Sequence, residues 1–398
     1  MKRNYSVFFL IFALLICFGS LTGYAKVKSV MADTVTASEG VSGISSKSAI
    51  LLDAESGTVI FSQNELEQRP IASMCKIMTL LLCFENIDNG NLSMTDKITV
   101  SDTAAGMGGS QVFLEANAEY SVEDLIKSIT VASANDACVA MAETICGSEE
   151  SFVVKMNDRA KELGMNNTVF TNCTGLPKVG QYSCAKDVAK MFSELIKHKD
   201  YFKFSGIWMD EINHPNDRVT EISNTNKLIR FYEGCDGGKT GYTREAGHCL
   251  CASAKRNDLR LICVVISSPD SKTRFKEVSS MFNFGFANFT NKVIVEAKSP
   301  LDFQVEIKGG KKDLCSVAPE RSVYLFSKKG QKIALETEFS PCENVKAPIK
   351  AGDVMGKLTI YDNGKEIDCV NVISCEDIDN KTYFDSVVDI AHNWGLAG

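Results

Sequence analysis

From Ile77 to Phe84 the chain reads IMTLLLCF, apolar on nearly every face of a helix. A helix that is apolar all round has to be buried. Directly before it stand Ser73-Met74-Cys75-Lys76, following Pro70, so a lysine opens a helix with little solvent face to offer it. Positions i and i+3 share a helix face, so the Ser73 hydroxyl and the Lys76 amine can meet. Serine is a poor nucleophile without an adjacent base. Lysine serves as that base only when part of it is neutral, and from a reference pKa of ~10.4 neutralising it at pH 7 costs roughly 4–5 kcal/mol. Burial and a second nearby cation both lower that cost. Alone, S-x-x-K is weak, because an N-capping serine and a surface lysine spell the same string. The apolar helix behind it argues against a surface lysine.

Two further strings carry chemistry. Ser133-Ala134-Asn135 falls between a helical pattern ending near Val131 and another starting near Asp136. Ser, Asn and Asp all favour helix caps, so this string taken alone reads as capping. Lys239-Thr240-Gly241 follows Asp236-Gly237-Gly238 at the start of a predicted strand. There Gly241 leaves room for another backbone to approach closely. Ser133 follows Ser73 by 60 residues and Lys239 follows it by 166.

Taken in order, S-x-x-K, S-x-N and K-T-G resemble the motif set of the penicillin-binding proteins and serine β-lactamases. The likeness narrows to the D-alanyl-D-alanine carboxypeptidases. PIASMCKIMTLLL resembles their nucleophile segment, and MNDRAKELGMNNTVFTNCTGLP a second one. NTNKL from Asn224, DGGKTGYT from Asp236 and the segment from Ala246 match as well. The similarity spans roughly residues 45–290. Two positions depart from the pattern. Cys75 stands where a small or hydroxylated residue is usual, and Gln181 where relatives often have His, a change expected at the cleft rim.

That resemblance implies the roles. Ser73 would attack the carbonyl between two D-alanines, Lys76 would take its proton, and Ser133 would relay a proton to the departing D-alanine. Asn135 would hold Lys76 and the peptide amide. Lys239, with Thr240, would hold the terminal carboxylate, its charge would help depress the Lys76 pKa, and Gly241 of the same motif would also line the substrate site. The backbone N–H groups of Ser73 and Tyr242 would form the oxyanion hole. The substrate implied is the peptidoglycan pentapeptide, β-lactams are implied as covalent inhibitors, and no metal or organic cofactor is needed. Three rivals stay open: a class A β-lactamase, a peptidoglycan endopeptidase and a non-catalytic penicillin-sensing module. The β-lactamase needs a glutamate for deacylation, and Glu162 with Asn166 forms an E-x-x-x-N string. Glu162 lies among Asp158, Arg159 and Lys161, which reads as a solvated helix face.

The fold expected is α+β. SAILLDAESGTVIFS from Ser48 is a hairpin signal around Glu55-Ser56-Gly57, Pro70 to Gly147 reads as helical, and Phe152 to Leu163 is an amphipathic helix. Lys239 to Lys255 reads as one long strand, Leu259 to Ser267 as the next, and residues 275–289 as a helix. Strands at both ends with helices between imply an antiparallel sheet covered by helices. By the resemblance this is the β-lactamase/transpeptidase-like architecture, placed at residues 44–292. Residues 293–378, with short alternating segments and Gly-containing turns, read as a small all-β domain.

The ends suggest export. Lys2 and Arg3, the apolar run Val7 to Cys17 and Gly23-Tyr24-Ala25 form the pattern of a cleaved signal peptide over residues 1–25. The run is short of the ~20 residues a spanning helix needs. Residues 26–43 read as a linker. Losing two basic residues with the signal takes the net charge from -7 to -9, which argues against nucleic acid as a partner. The destination is then the outer face of the cytoplasmic membrane or the cell wall. Fifteen cysteines in such a chain would ordinarily suggest disulfides. Their scattered spacing inside apolar runs instead suggests free, buried thiols. In residues 379–398, Phe384, Val387, Val388, Ala391 and Trp394 form a helical stripe. It is expected either to touch a membrane interface or to pack on the β-domain.

Overall fold

The computed structural model describes residues 41–385 together with Val387 and Val388. The expected signal segment, all but the end of the linker, and Ala391 and Trp394 of the tail stripe lie outside these residues.

Alternation of apolar side chains gives the central sheet two buried faces. Its strands run in the order Val59–Gln63, Ser48–Asp53, Leu259–Ser268, Gly247–Arg256, Cys235–Thr243, all antiparallel. Ala49, Leu51, Leu261, Cys263 and Val265 face Val278, Met281 and Phe282 of helix Ser271–Asn288. Ile50, Leu52, Ile262, Val264 and Ile266 face the helical layer. Successive strand residues point to opposite faces, so one β-branched run serves both cores. Helix Ser271–Asn288 comes close enough that a Cβ on Gly285 would stand 2.5 Å from a Leu261 methyl carbon.

Two expectations need correction here. The stretch Lys239–Lys255 is two strands joined by a turn at residues 244–246. Thr243 Oγ1 accepts the Ala246 N–H at 3.0 Å, and Gly247 takes a left-handed φ of +65°. Ala246 is buried, so the turn carries an apolar residue where turns are usually polar, and the sequence reads straight through it. The stretch from Pro70 to Gly147 is also not helical throughout. Strands Lys97–Thr99 and Glu119–Ser121 pair within it. The helix that begins at Val122 loosens after Lys127 into a π turn, Ser128–Ala132. Such π turns recur at functional sites.

The helical layer is built on Lys76–Asp88, with Asn135–Cys146, Glu149–Glu162 and Ala185–Leu195 around it. The fourteen cysteines among the described residues are free thiols. Burial pushes those of Cys75, Cys138 and Cys173 well above the usual thiol range, so they behave as small core hydrophobes.

The β-rich region starts at Phe289, a few residues before the boundary expected at residue 293. Strand Phe289–Val295 pairs with Val323–Lys328, and the Phe289 and Phe326 rings stack at 5.1 Å. A second five-stranded sheet follows in the order Gln304–Glu306, Leu314–Pro319, Lys365–Ser374, Val354–Asp362, Leu335–Pro341. Its core includes Val317, Met355, Leu358, Ile360 and Val372. Among the described residues no helix is long and apolar enough to cross a membrane.

Candidate active site

Ser73 is the second residue of a short 3-10 turn, Ala72–Cys75, which runs directly into helix Lys76–Asp88. The turn begins on strained backbone, with Ala72 at φ +48°. Non-glycine residues in that region cost of order 1–3 kcal/mol and tend to gather at functional sites.

Lys76 is fully buried, and its Nζ donates to Ser73 Oγ at 3.1 Å, Asn135 Oδ1 at 2.6 Å and the Thr174 carbonyl at 2.5 Å. None of these acceptors is a carboxylate. Burial pushes the Lys76 ammonium below the usual lysine range.

Asn135 is itself tied down. It opens helix Asn135–Cys146, its Nδ2 donates to the Gly108 carbonyl at 2.7 Å, and its own N–H donates to the Ser110 carbonyl at 2.7 Å. The neighbouring buried Asp136 carboxylate accepts the N–H groups of Val112 and Leu114 at 3.1 Å. Residues 108–114 are thereby strapped across the S-x-N motif. Ser133 ends the π turn in the left-handed region, at φ +64°, which turns the chain between the two helices.

The third motif lies on strand Cys235–Thr243, the last strand in the sheet order and hydrogen-bonded only to Gly247–Arg256 among the sheet's strands. A Cβ on Gly241 would stand 2.6 Å from the Ile71 carbonyl oxygen and 3.3 Å from the Ser73 nitrogen. The sheet edge therefore lies against the nucleophile's own backbone. Thr240 Oγ1 donates to Thr225 Oγ1 at 2.8 Å. Lys239 is buried, and burial together with the charge of Lys76 pushes it well below the usual lysine range. Tyr242 is 60% exposed, and its ring stacks on His248 at 4.4 Å.

Sequence reasoning did not single out three of these participants. The Thr174 carbonyl is a backbone group, so no side-chain type announces it. Arg274 comes from helix Ser271–Asn288 and donates to the Gly241 and Cys249 carbonyls at 3.2 and 3.1 Å. Its Nε is buried without a partner, and burial lowers its pKa. Among the described residues neither Lys239 nor Arg274 has a carboxylate within ion-pair distance. His248 carries a buried Nδ1 without a partner beneath Tyr242. The Gly at 175, within the TNCTGLP string, was the one available signal for the Thr174 segment. Its φ is +81°, and a Cβ there would stand 2.0 Å from the Ala72 carbonyl oxygen.

Glu162 lies elsewhere. It sits 65% exposed on helix Glu149–Glu162 and pairs with Arg159 at 2.9 Å. It borders a surface cavity of about 500 Å³ whose lining includes Leu82, Glu85, Lys155 and Arg159 and none of the three motifs.

The chain is similar to known proteins along most of its length. A family model described as D-alanyl-D-alanine carboxypeptidase matches residues 33–270, and a second, the C-terminal domain of penicillin-binding protein 5, matches residues 289–380. The D-alanyl-D-alanine carboxypeptidase DacF of Bacillus subtilis is 41% identical over 333 residues, covering 83% of this chain and 85% of that protein. The crystal structure of penicillin-binding protein 5 from Haemophilus influenzae superposes with a TM-score of 0.67 at 29% identity, covering 85% of this chain and 99% of that one. Penicillin-binding protein D2 of Listeria monocytogenes, solved in an ampicillin-bound form, gives a TM-score of 0.55 at 30% identity, covering 61% and 98%.

Proposed function

The chain belongs to the D-alanyl-D-alanine carboxypeptidase family, and from that premise we propose that Ser73, Lys76 and Ser133 carry the chemistry of its serine-type peptidase activity. Asn135, Lys239, Thr240, Gly241 and Tyr242 bind the substrate. The observation that carries this reading is the buried Lys76 Nζ bridging Ser73 Oγ and Asn135 Oδ1.

Ser73 Oγ attacks the carbonyl carbon of the penultimate D-alanine of a peptidoglycan stem peptide, and its proton passes to neutral Lys76. The negative oxygen that forms is met by the backbone N–H groups of Ser73 and Tyr242, fixed dipoles that need no reorganisation. The intermediate collapses, the C–N bond breaks, and Ser133 passes a proton to the leaving D-alanine nitrogen. Water then attacks the acyl-Ser73 ester, releasing the shortened peptide. In the free enzyme Lys239 and Arg274 are buried with no carboxylate within ion-pair distance among the described residues, and burial disfavours the charge on both. The substrate's terminal carboxylate supplies the opposite charge and makes a protonated Lys239 favourable. β-Lactams present a carboxylate and a reactive carbonyl to the same groups, which makes them covalent inhibitors.

Two rivals lose support. An exposed Glu162 paired with Arg159 is badly placed for the deacylating role of a class A β-lactamase. A sensor would not need the base held on the nucleophile. The reading extends to the whole chain: a signal peptide over residues 1–25, a linker over 26–43, a catalytic domain, a β-rich domain from about Phe289, and action outside the cytoplasmic membrane. Tyr383 and Phe384, 81% and 79% exposed, begin a tail that rests peripherally on the membrane. The central test is product analysis on diacetyl-lysyl-D-alanyl-D-alanine. Release of D-alanine by the unaltered enzyme and its loss in Ser73→Ala are expected; release by Ser73→Ala would overturn the assignment.

A further inference from the structure

A neutral lysine amine has two N–H bonds and one lone pair. Two of the three groups around Lys76 Nζ, Asn135 Oδ1 and the Thr174 carbonyl, can only accept hydrogen bonds. They therefore keep both N–H bonds when the amine is neutral, and the lone pair is left for the Ser73 hydroxyl proton. The direction of the base is set by where those two acceptors stand. Asn135 is anchored by Gly108 and Ser110. The Thr174 carbonyl belongs to a loop segment, and its anchoring needs a separate explanation.

That anchoring runs through two side chains. Asn172 Oδ1 accepts the N–H of Gly175 at 2.7 Å and that of Thr174 at 3.2 Å, closing a tight turn around the Thr174 carbonyl. Asn172 Nδ2 donates to the Leu176 carbonyl at 2.8 Å. The amide is held in this orientation by Gln181, whose Nε2 donates to Asn172 Oδ1 at 3.2 Å. Gln181 Oε1 meanwhile accepts the N–H groups of Thr171 and Asn172 at 2.9 and 3.0 Å. The same segment is fastened to the nucleophile helix by Cys75 Sγ on the Asn172 carbonyl, at 3.2 Å, and Thr79 Oγ1 on the Cys173 carbonyl, at 2.7 Å. Gln181 was expected to alter the cleft rim. It is half-buried and its amide is engaged with the Thr171–Asn172 backbone and the Asn172 side chain.

We propose that Gln181 and Asn172 are positioning residues: they fix the Thr174 carbonyl and so aim the lone pair of neutral Lys76 at Ser73. The inference rests on Lys76 acting as the base for Ser73. It assigns Gln181 no contact with substrate. Its loss should slow the transfer of the Ser73 proton and leave binding intact.

The test is the rate of acylation by a fluorescent penicillin, measured on the mature full-length protein as a function of concentration and pH. Peptide mapping of the Ser73 adduct accompanies it. Gln181→Glu keeps the two accepted backbone N–H groups, loses the donor to Asn172 and places a negative charge beside Asn172 Oδ1. A residue that merely holds the loop would lose stability on this change without a selective loss of the maximal rate. Positioning instead predicts a maximal acylation rate lowered about tenfold, with half-saturating penicillin unchanged. Gln181→Ala adds no charge, so weakening the Thr174 contact to the ammonium should also move the acid limb of the rate profile to lower pH. A folded Gln181→Glu with the normal maximal rate overturns the proposal. If that variant fails to fold, a Gln181→Ala with normal rate and normal acid limb overturns it equally. If the unaltered enzyme is labelled at a residue other than Ser73, the reading of the active site itself falls, and this inference with it.

Discussion

Gly241 approaches Ile71 so closely that a single added methyl group would stand 2.6 Å from the Ile71 carbonyl oxygen. The contact joins the sheet edge to the residue two positions before the nucleophile, and it sets the width of the cleft between the K-T-G strand and Ser73. Because backbone meets backbone there, no flexible side chain can yield. Gly241→Ala should push the strand away from Ser73 and misplace the Tyr242 N–H. The expected outcome is a loss of about 10²–10³-fold in acylation rate, the scale of losing one oxyanion donor. The fold should lose only about 1–3 kcal/mol, as for other overpacked sites. Stopped-flow acylation alongside urea unfolding checks both, and a normal rate would show that the cleft width is not set here.

The two lysines should fail in different ways. Lys76→Ala removes the proposed base and leaves Asn135 Oδ1 and the Thr174 carbonyl facing a gap. Acylation should fall about 10²–10⁴-fold even at saturating substrate. Lys239→Ala removes a cation from the proposed carboxylate site, so KM should rise as well. Steady-state kinetics on the diacetyl tripeptide separates the two. A Lys239→Ala enzyme whose only defect is in kcat would remove that residue from carboxylate binding.

How much of this was legible in the sequence depends on the kind of group involved. The Ser73–Lys76 contact follows from helix geometry, because an i, i+3 pair meets whatever the rest of the chain does. The hairpin Ser48–Gln63 was equally local, set by two apolar runs around a left-handed Gly57. The meeting of Asn135 with Lys76 is long-range and could be reached only through the resemblance to a known family. The Thr174 carbonyl was out of reach because every residue has a carbonyl. Arg274 was out of reach because nothing in its helix marks which basic residue turns inward. The turn at residues 244–246 was missed for a physical reason too: its buried Ala246 keeps the apolar pattern running from one strand into the next.

The tail gives a third expectation. Phe384, Val387 and Val388 are exposed, as is Tyr383, so within the described residues this apolar stripe is not packed on the β-domain. Lys381 is engaged with Asp313 at 2.9 Å, which limits its use toward anionic lipid. Attachment should therefore depend on apolar burial more than on charge, and should persist at high salt. The mature protein should co-sediment with anionic vesicles at 0.5 M salt, a concentration of about three times the physiological ionic strength, and a form lacking residues 379–398 should not. Equal amounts of both forms in the supernatant would refute membrane contact.

Asp53 supplies the last prediction, on stability. Its side chain is fully buried at the end of strand Ser48–Asp53, where Oδ2 accepts the Ser56 N–H at 2.8 Å and the Ser56 hydroxyl at 2.6 Å. Oδ1 has no partner. A buried, half-satisfied carboxylate favours its neutral form, and burial pushes its pKa from the ordinary 3.8 up to about 6, against the opposing pull of the Ser56 hydrogen bonds. Below about pH 4 the group is protonated in the folded and unfolded states alike and contributes no pH dependence. Between 4 and 6 the folded state holds more protons, so stability falls as pH rises through that window. Above 6 the folded state carries the full cost of a buried charge, on the order of 2–3 kcal/mol for a displacement of this size. Asp53→Asn removes that cost while keeping an acceptor for the Ser56 N–H. It should melt above the unaltered protein at pH 8, and the advantage should shrink steadily toward pH 4. Taking the difference between the two proteins cancels the titration of every other group. Thermal unfolding of both across pH 4–8 therefore isolates Asp53: a flat difference would show that this carboxyl titrates as an ordinary one, and a difference larger at acid pH would show that folding lowers its pKa, either result refuting the prediction.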